Sequence, residues 1–210
     1  MRIAPRLAAV LVAIVAASAA AQAHEPDSEK FVTAFRQACV PERLSYSGTR
    51  EHLASIGWKE VEQGVDENLS KLLQKADKAV LEESEKDWTY ERTAFGGFID
   101  GNPHFVVVTR VHAPGIITLI GCYLYDFGAT APVDPGHVSD FLGIPPAETI
   151  EEKGMTGYTW GPSPKLPRTL DTNLFFITKG SPMRDASGFA GVLLKFETSE
   201  PQTTSKGAAE

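Results

Sequence analysis

The stretch from His104 to Asp126 constrains the fold more than any other part of this sequence. Two runs rich in β-branched and aromatic residues, 104–112 and 116–126, lie on either side of Ala113-Pro-Gly115. Proline fixes φ at the second position of a turn, and glycine accepts a positive φ at the third. The pattern therefore predicts a β-hairpin in which Ala113 lies opposite Ile116.

Because side chains alternate along a strand, this pairing assigns every residue of the hairpin to one of two faces. We expect one face to be the core. It carries Phe105, Val107, Thr109, Val111, Thr118, Ile120, Cys122 and Leu124. The other face is mixed, and it carries His104, Val106, Val108, Arg110, His112, Ile117, Leu119, Tyr123 and Tyr125.

The mixed face is the predicted binding surface. Aromatic rings beside an arginine and histidines suit an anionic or partly apolar small ligand, or a protein partner. The predicted binding residues are Arg110, His112, Tyr123 and Tyr125. The alternative is that a helix or other strands cover this face and that Arg110 pairs with a nearby acid.

The first 23 residues have the pattern of a cleavable secretory signal peptide. Two arginines precede an apolar run at 7–20, and Ala21-Gln-Ala23 supplies a small-x-small cleavage pattern. We expect cleavage after Ala23, a mature chain that begins at His24, and a location in the periplasm or outside the cell. An uncleaved anchor is the alternative, but the run is shorter than the roughly 20 residues that a span needs, and no later segment is apolar enough.

The charge of the mature chain argues against nucleic acid as a partner. Removal of residues 1–23 would leave 18 basic and 27 acidic residues, a net charge of −9. A sequence-independent grip on phosphates needs a basic stripe, and the basic residues here are scattered among acids.

The sequence has two cysteines, Cys39 and Cys122. An exported chain meets an oxidising compartment, so we expect them to form a disulfide. Two buried free thiols, or a thiol site with redox or metal chemistry, are the alternatives. The sequence has no Cys-x-x-Cys, and no histidine is close to either cysteine.

Apolar spacing, capping residues and prolines predict the remaining elements. Helices are expected at about 28–40 with Ser28 as N-cap, 47–56, 65–86 and 134–143, and further strands at 88–98, 157–160, 170–179 and 189–198. Strand runs flanked by helices predict a single α+β domain at 24–198, with a mainly antiparallel sheet of about five or six strands packed against N-terminal helices. Residues 199–210 lack apolar content and are expected to be disordered.

Several of these segments together resemble a known group of proteins. The matching segments are Phe31-x-x-x-Phe35-x-x-x-Cys39, Gly57-Trp58, Phe105-Val-Val-Val, Cys122-x-Leu-Tyr and Tyr158-x-Trp160-Gly161. They are similar to a group of uncharacterised secreted proteins of Proteobacteria. The resemblance covers most of the mature chain and implies the helix-plus-sheet layout and the Cys39–Cys122 bridge, but it implies no activity.

Motifs for hydrolysis and phosphate binding are absent from the sequence. It has no Gly-x-Ser-x-Gly elbow, no Walker pattern and no Gly-x-Gly-x-x-Gly. His137-Val-Ser139-Asp140 has the letters of a triad, but residues this close on one short helix cannot form a triad among themselves. A small periplasmic hydrolase stays open as an alternative, since distant residues can meet in a pocket.

The remaining alternative is copper binding by His24. An N-terminal histidine can chelate copper through its amine and imidazole when another histidine completes the site. His104, His112, His52 and His137 are available for that role. The sequence contains no local His-x-His or Met-rich cluster, so no metal ligand, cofactor or catalytic residue is assigned. The favoured function is a binding or interaction module without catalysis.

Overall fold

The computed structural model describes residues 23–83 and 87–200. This part of the chain is an α+β fold with the following elements: α1 Ser28–Cys39, α2 Tyr46–Ser55, β1 Lys59–Val61, α3 Glu67–Glu83, β2 Thr89–Ile99, β3 Asn102–Ala113, β4 Ile117–Asp126, α4 Pro135–Leu142, β5 Glu148–Glu152, β6 Met155–Trp160, β7 Thr169–Ile177, α5 Met183–Ser187 and β8 Gly191–Ser199. The predicted fold class is confirmed at this level. The predicted signal peptide, apart from Ala23, and residues 201–210 of the predicted tail lie outside the described residues.

The strands form one sheet in the order β1-β2-β3-β4-β8-β7-β6-β5, and neighbouring strands are antiparallel. The expected five or six strands are thus eight. The two additional strands are β1 and β5, which lie at the two edges of the sheet and are mostly exposed. An exposed edge strand needs no alternating apolar pattern, so their sequences, Lys-Glu-Val and Glu-Thr-Ile-Glu-Glu, carry little strand signal.

The helices are not confined to the N-terminal half, because α4 follows the central hairpin and α5 precedes the last strand. Both faces of the sheet are buried. The larger core joins α1, α2 and α4 to one face and includes Phe31, Phe35, Leu53, Val106, Val108, Ile120, Leu124, Leu142, Trp160 and Phe196. The smaller core lies under α3 on the opposite face and includes Leu69, Leu72, Leu73, Phe105, Val107, Tyr125, Phe127 and Phe189.

The register of the central hairpin differs from the prediction by one residue. Ala113 pairs with Ile117, so the loop has three residues, 114–116, and Ile116 is exposed. Cys122 therefore lies opposite Val108. The predicted grouping of Phe105 and Val107 with the face of Cys122 is wrong: those two residues pack in the smaller core. Strands that are apolar on both sides carry no alternation that could fix the register.

The predicted disulfide is confirmed and joins Cys39, the last residue of α1, to Cys122 in β4. Both cysteines are buried in the larger core. The N-cap of α1 is Asp27, whose carboxylate accepts the Lys30 N–H at 3.0 Å, and not Ser28 as predicted. The Ser28 hydroxyl instead accepts the backbone N–H of Asp134 at 3.0 Å, which ties the start of α1 to the start of α4.

The last strand ends one residue later than predicted. Strand β8 continues through Ser199, and the backbone N–H of Glu200 donates to the carbonyl of Thr118 at 2.9 Å. Among residues 23–83 and 87–200, no helix combines the length and the apolar character that a membrane span requires.

Candidate metal centre

The candidate site is centred on Asp126, the last residue of β4, whose side chain is fully buried. Its Oδ1 atom accepts the backbone N–H of Gly128 at 3.0 Å. Apart from two imidazoles, no described residue offers a hydrogen bond to its Oδ2 atom. A buried carboxylate oxygen without a partner is costly, so this atom requires a positively charged or donating neighbour.

His104 lies beside this carboxylate. The register that pairs Phe105 with Tyr125 places the preceding residue, His104, next to the following residue, Asp126. The imidazole is buried against the ring of Phe31 in α1, with 5.9 Å between ring centroids. Its Nε2 atom lies 3.3 Å from Oδ2 of Asp126.

The protonation of His104 follows from its other ring nitrogen. Nδ1 lies 2.9 Å from the carbonyl oxygen of Asn102. A carbonyl oxygen only accepts, so Nδ1 carries the proton, and in a neutral ring Nε2 is then a bare lone pair. In a neutral ring that lone pair lies 3.3 Å from the Asp126 carboxylate oxygen, which is unfavourable unless a proton on Nε2 or a metal ion lies between the two atoms.

The second imidazole comes from His24, far away in sequence. His24 forms a one-residue parallel bridge with Ala129. Its backbone N–H donates to the carbonyl of Gly128 at 3.0 Å, and its carbonyl accepts from the N–H and the hydroxyl of Thr130 at 2.9 and 3.0 Å. These bonds hold the imidazole so that its Nε2 lies 3.0 Å from Oδ2 of Asp126.

The spacing of the three side chains fits a small metal ion. One ligand atom from each of His24, His104 and Asp126 lies within 4.8 Å of the others. Ligands at the Zn–N and Zn–O distances of about 2.0 to 2.2 Å are about 3.3 Å apart around a tetrahedral ion. The two nitrogen–oxygen distances, 3.0 and 3.3 Å, agree with that separation.

The supporting contacts also have the form that metal sites show. A histidine ligand commonly donates its second ring N–H to a carbonyl, which fixes its tautomer, as His104 does to Asn102. A ligating carboxylate is commonly held by a further donor, as Asp126 is by the Gly128 N–H. Two nitrogens and one oxygen therefore lie within 4.8 Å of one another, and His104 and Asp126 are each held by a further hydrogen bond.

A small cavity of about 20 Å³ opens beside the two histidines, which is room for one water molecule or ion. Its wall includes the acidic residues Glu25, Asp27 and Asp100. The ammonium group of Lys30 forms ion pairs with Asp27 and Asp100. The hydrogen bond from the backbone N–H of Lys30 is the main cause of the lowered pKa of Asp27. Three carboxylates against one ammonium leave the wall net negative, which favours the approach of a cation.

The four residues predicted to bind a ligand or partner do not share a face. Because of the shifted register, Arg110 and His112 lie opposite Ile120 and Thr118, on the face of the larger core. Tyr123 and Tyr125 point to the face of the smaller core, where both belong to the cluster under α3. The prediction that these four residues share one mixed face is therefore wrong. A binding role for Arg110 and His112, or for Tyr123 and Tyr125, stays a prediction.

Arg110 and His112 are engaged near one end of the sheet. Arg110 forms ion pairs with Glu91 at 3.1 Å and with Glu200 at 3.3 Å, and the hydrogen bond to Glu91 is the main cause that raises its pKa. The Nδ1 atom of His112 lies 2.7 Å from the hydroxyl of Thr118. The ion pairs of Arg110 are those expected from the alternative in which Arg110 pairs with a nearby acid.

Tyr123 and Tyr125 are largely buried, and burial raises the pKa of both phenols. The Tyr123 hydroxyl donates to Glu197 at 3.1 Å, and the ring of Tyr125 stacks on Phe127 with 5.5 Å between centroids. Both rings border an apolar cavity of about 300 Å³ between α3 and the sheet.

Sequence reasoning assigned no metal ligand, yet the structure brings His24 and His104 together around Asp126. His24 and His104 stood among the candidates for copper, whereas Asp126 did not. One signal pointed to it: a carboxylate follows directly on the long apolar run of β4, where the register places it in the core. Buried carboxylates are rare unless they are paired or bind a metal.

Comparison with known proteins does not assign a function to this site. No protein-family model matches the chain. No curated protein and no solved structure is detectably similar to it.

Proposed function

We propose that this chain is an exported protein that binds one first-row transition-metal ion through His24, His104 and Asp126. The observation that carries the proposal is the buried Oδ2 atom of Asp126, which lies 3.0 and 3.3 Å from two imidazole nitrogens and has no other donor among the described residues. The Cys39–Cys122 disulfide supports export, because such bonds persist in oxidising compartments.

A metal ion suits this cluster better than protons do. Without a metal ion, His24 can donate to Oδ2 of Asp126 from a neutral ring that carries its proton on Nε2. His104 can donate to the same oxygen only if it gains a second proton, because its Nδ1 proton faces the Asn102 carbonyl. Two ring N–H groups would then converge on one carboxylate oxygen, with 6.1 Å between the ring centroids. A divalent ion satisfies both nitrogens and the carboxylate at once, and it keeps both rings neutral.

The donor set narrows the choice of ion. Imidazole nitrogen with a carboxylate suits copper, zinc, iron and nickel, and it suits calcium and magnesium poorly, since these prefer oxygen ligands. For a given site, affinity among divalent ions is highest for copper in the Irving–Williams order. We therefore propose copper or zinc as the resident ion, in a role of binding rather than catalysis.

Titration of the mature protein with each metal, followed by equilibrium dialysis and elemental analysis, tests the proposal. We expect one ion per chain. Asp126→Asn should weaken binding by about 100-fold, since the loss of a supporting partner alone costs 10- to 100-fold and this change removes a ligand charge. The asparagine can still accept the Gly128 N–H and donate to His104, so the variant should fold.

His137→Ala is the matched control, because His137 lies on α4 outside the three-residue cluster. It should bind the same amount of metal as the unmodified protein. Binding that is weak in every variant, or that Asp126→Asn and His104→Ala leave unchanged, would overturn the proposal.

A further inference from the structure

His24 is both a member of the candidate metal centre and the residue that follows the predicted cleavage position. Its backbone is fixed by its own three hydrogen bonds to Gly128 and Thr130, and Ala23 before it is exposed. None of these bonds involves a residue that cleavage would remove. Hydrolysis of the Ala23–His24 bond would leave these three bonds in place and create an α-amine beside the cluster.

We propose that removal of the leader completes the metal centre, and that the α-amine of His24 becomes a ligand of copper(II). This inference rests on the proposed function. In the mature protein, the amine and Nδ1 of His24 bind the ion as a chelate, with Nε2 of His104 and Oδ2 of Asp126 as the other ligands. Processing thereby converts a site with two nitrogens and one oxygen into one with three nitrogens and one oxygen.

The chemistry of the nitrogen is the reason for the change. Before cleavage, the nitrogen of His24 is an amide whose lone pair is delocalised into the carbonyl, so it does not bind a metal ion. Water hydrolyses the peptide bond, and Ala23 leaves with the new carboxylate. The amine that remains on His24 releases a proton to solvent and binds the ion with its free lone pair. Its remaining N–H groups include one for the Gly128 carbonyl, the bond partner seen here at 3.0 Å.

The chelate determines which ring nitrogen of His24 binds. Amine and Nδ1 of one histidine close a six-membered ring with the ion, whereas amine and Nε2 cannot reach the same ion. The imidazole therefore turns from the orientation in which Nε2 faces Asp126. Four ligands in a tetragonal arrangement of nitrogen and oxygen are the preferred geometry of copper(II), whereas zinc has no such preference.

Copper affinity of two forms of the chain tests this inference. The first begins at His24, and the second begins at Ser18 and keeps residues 18–23. A leader of one or two residues is unsuitable, because its own amine would lie within chelating reach of His24. A third sample, with the His24 amine acetylated, blocks the ligand without adding residues.

We expect copper(II) to bind the extended and acetylated forms about 100-fold more weakly than the mature form, since a ligand is lost. Zinc affinity should fall much less. The electron paramagnetic resonance spectrum of the copper complex should show three coordinated nitrogens in the mature form and two in the others. Circular dichroism should show that all three forms are folded.

The outcomes separate this inference from the proposed function. Equal copper affinity in all forms, with binding still lost in Asp126→Asn, would overturn the inference and leave the function in place. No binding in any form would overturn both. A native protein whose first residue is not His24, shown by N-terminal sequencing, would also overturn the inference.

Discussion

Nε2 of His104 lies 3.3 Å from Oδ2 of Asp126, and the two atoms face each other as acceptors because Nδ1 of the same ring donates to Asn102. With a neutral His104 this buried contact is unfavourable, and the proposed metal ion between the two atoms would remove it. Ion binding and folding stability are consequently linked at this site.

Metal should raise the melting temperature of the protein, and Asp126→Asn should abolish that rise. An ion at 100 times its dissociation constant adds about 2.7 kcal/mol to the free energy of unfolding, which corresponds to roughly 5 to 10 °C for a chain of this size. In the presence of a chelator, the variant should melt no lower than the unmodified protein, because asparagine donates to Nε2 of His104. Differential scanning calorimetry with and without metal measures both effects, and an unmodified protein that melts equally in both conditions would contradict the link.

Gly191→Ala should disrupt the site from the neighbouring strand. Gly191 has a φ of +109°, and a Cβ atom there would overlap the carbonyl oxygen of Asp126. The backbone strain and the overlap each cost about 1 to 3 kcal/mol, and relief of the overlap moves Asp126. Urea denaturation should therefore show a loss of about 3 kcal/mol or more, together with weaker metal binding.

Gly180→Ala is the control for that substitution, because no atom lies within 4 Å of its added Cβ. It should leave both stability and metal affinity nearly unchanged. Equal effects of the two substitutions would show that contact with Asp126 is not the cause.

Sequence patterns predicted the parts of the fold whose signal is local. The spacing of Phe31, Phe35 and Cys39 predicted the buried face of α1. The oxidising compartment expected for an exported chain and the even number of cysteines predicted the Cys39–Cys122 disulfide. The pairing register depended on one residue in a loop, Ile116, and no periodicity distinguishes a two-residue loop from a three-residue loop between strands that are buried on both sides.

The candidate metal centre was harder to predict, because it also depends on the pairing register of the hairpin. His104 and Asp126 become neighbours only in the observed register, since the predicted one placed His104 opposite Tyr125. His24 reaches them through backbone hydrogen bonds to Gly128 and Thr130, and backbone bonds leave no trace in residue type. Two histidines were foreseeable as candidates, but the carboxylate between them required the fold.

Loss of the disulfide should destabilise the protein strongly. Cys39 and Cys122 are 83 residues apart in sequence. In the chain-entropy model, a bridge that closes a loop of this length stabilises the folded state by about 4.5 kcal/mol. Urea denaturation with and without a reducing agent measures the change. Cys39→Ala with Cys122→Ala should reproduce the reduced protein and should no longer respond to the reducing agent, and a change below about 1 kcal/mol would contradict the prediction.

Tyr90, which borders the apolar cavity between α3 and the sheet, should make the protein less stable in strong base. Burial is the main cause that raises the pKa of Tyr90 to about 12, and the charge of Asp77 adds to it. A folded-state pKa above the unfolded value of about 10 means that the folded protein holds the proton longer. Its contribution is then complete below pH 10 and is lost as pH rises toward 12. Tyr90→Phe should make the decline in stability between pH 10 and 12 shallower, as measured by urea denaturation at each pH, while Tyr123 and Tyr125 maintain part of it. An unchanged slope in the variant would show that the Tyr90 phenol does not contribute.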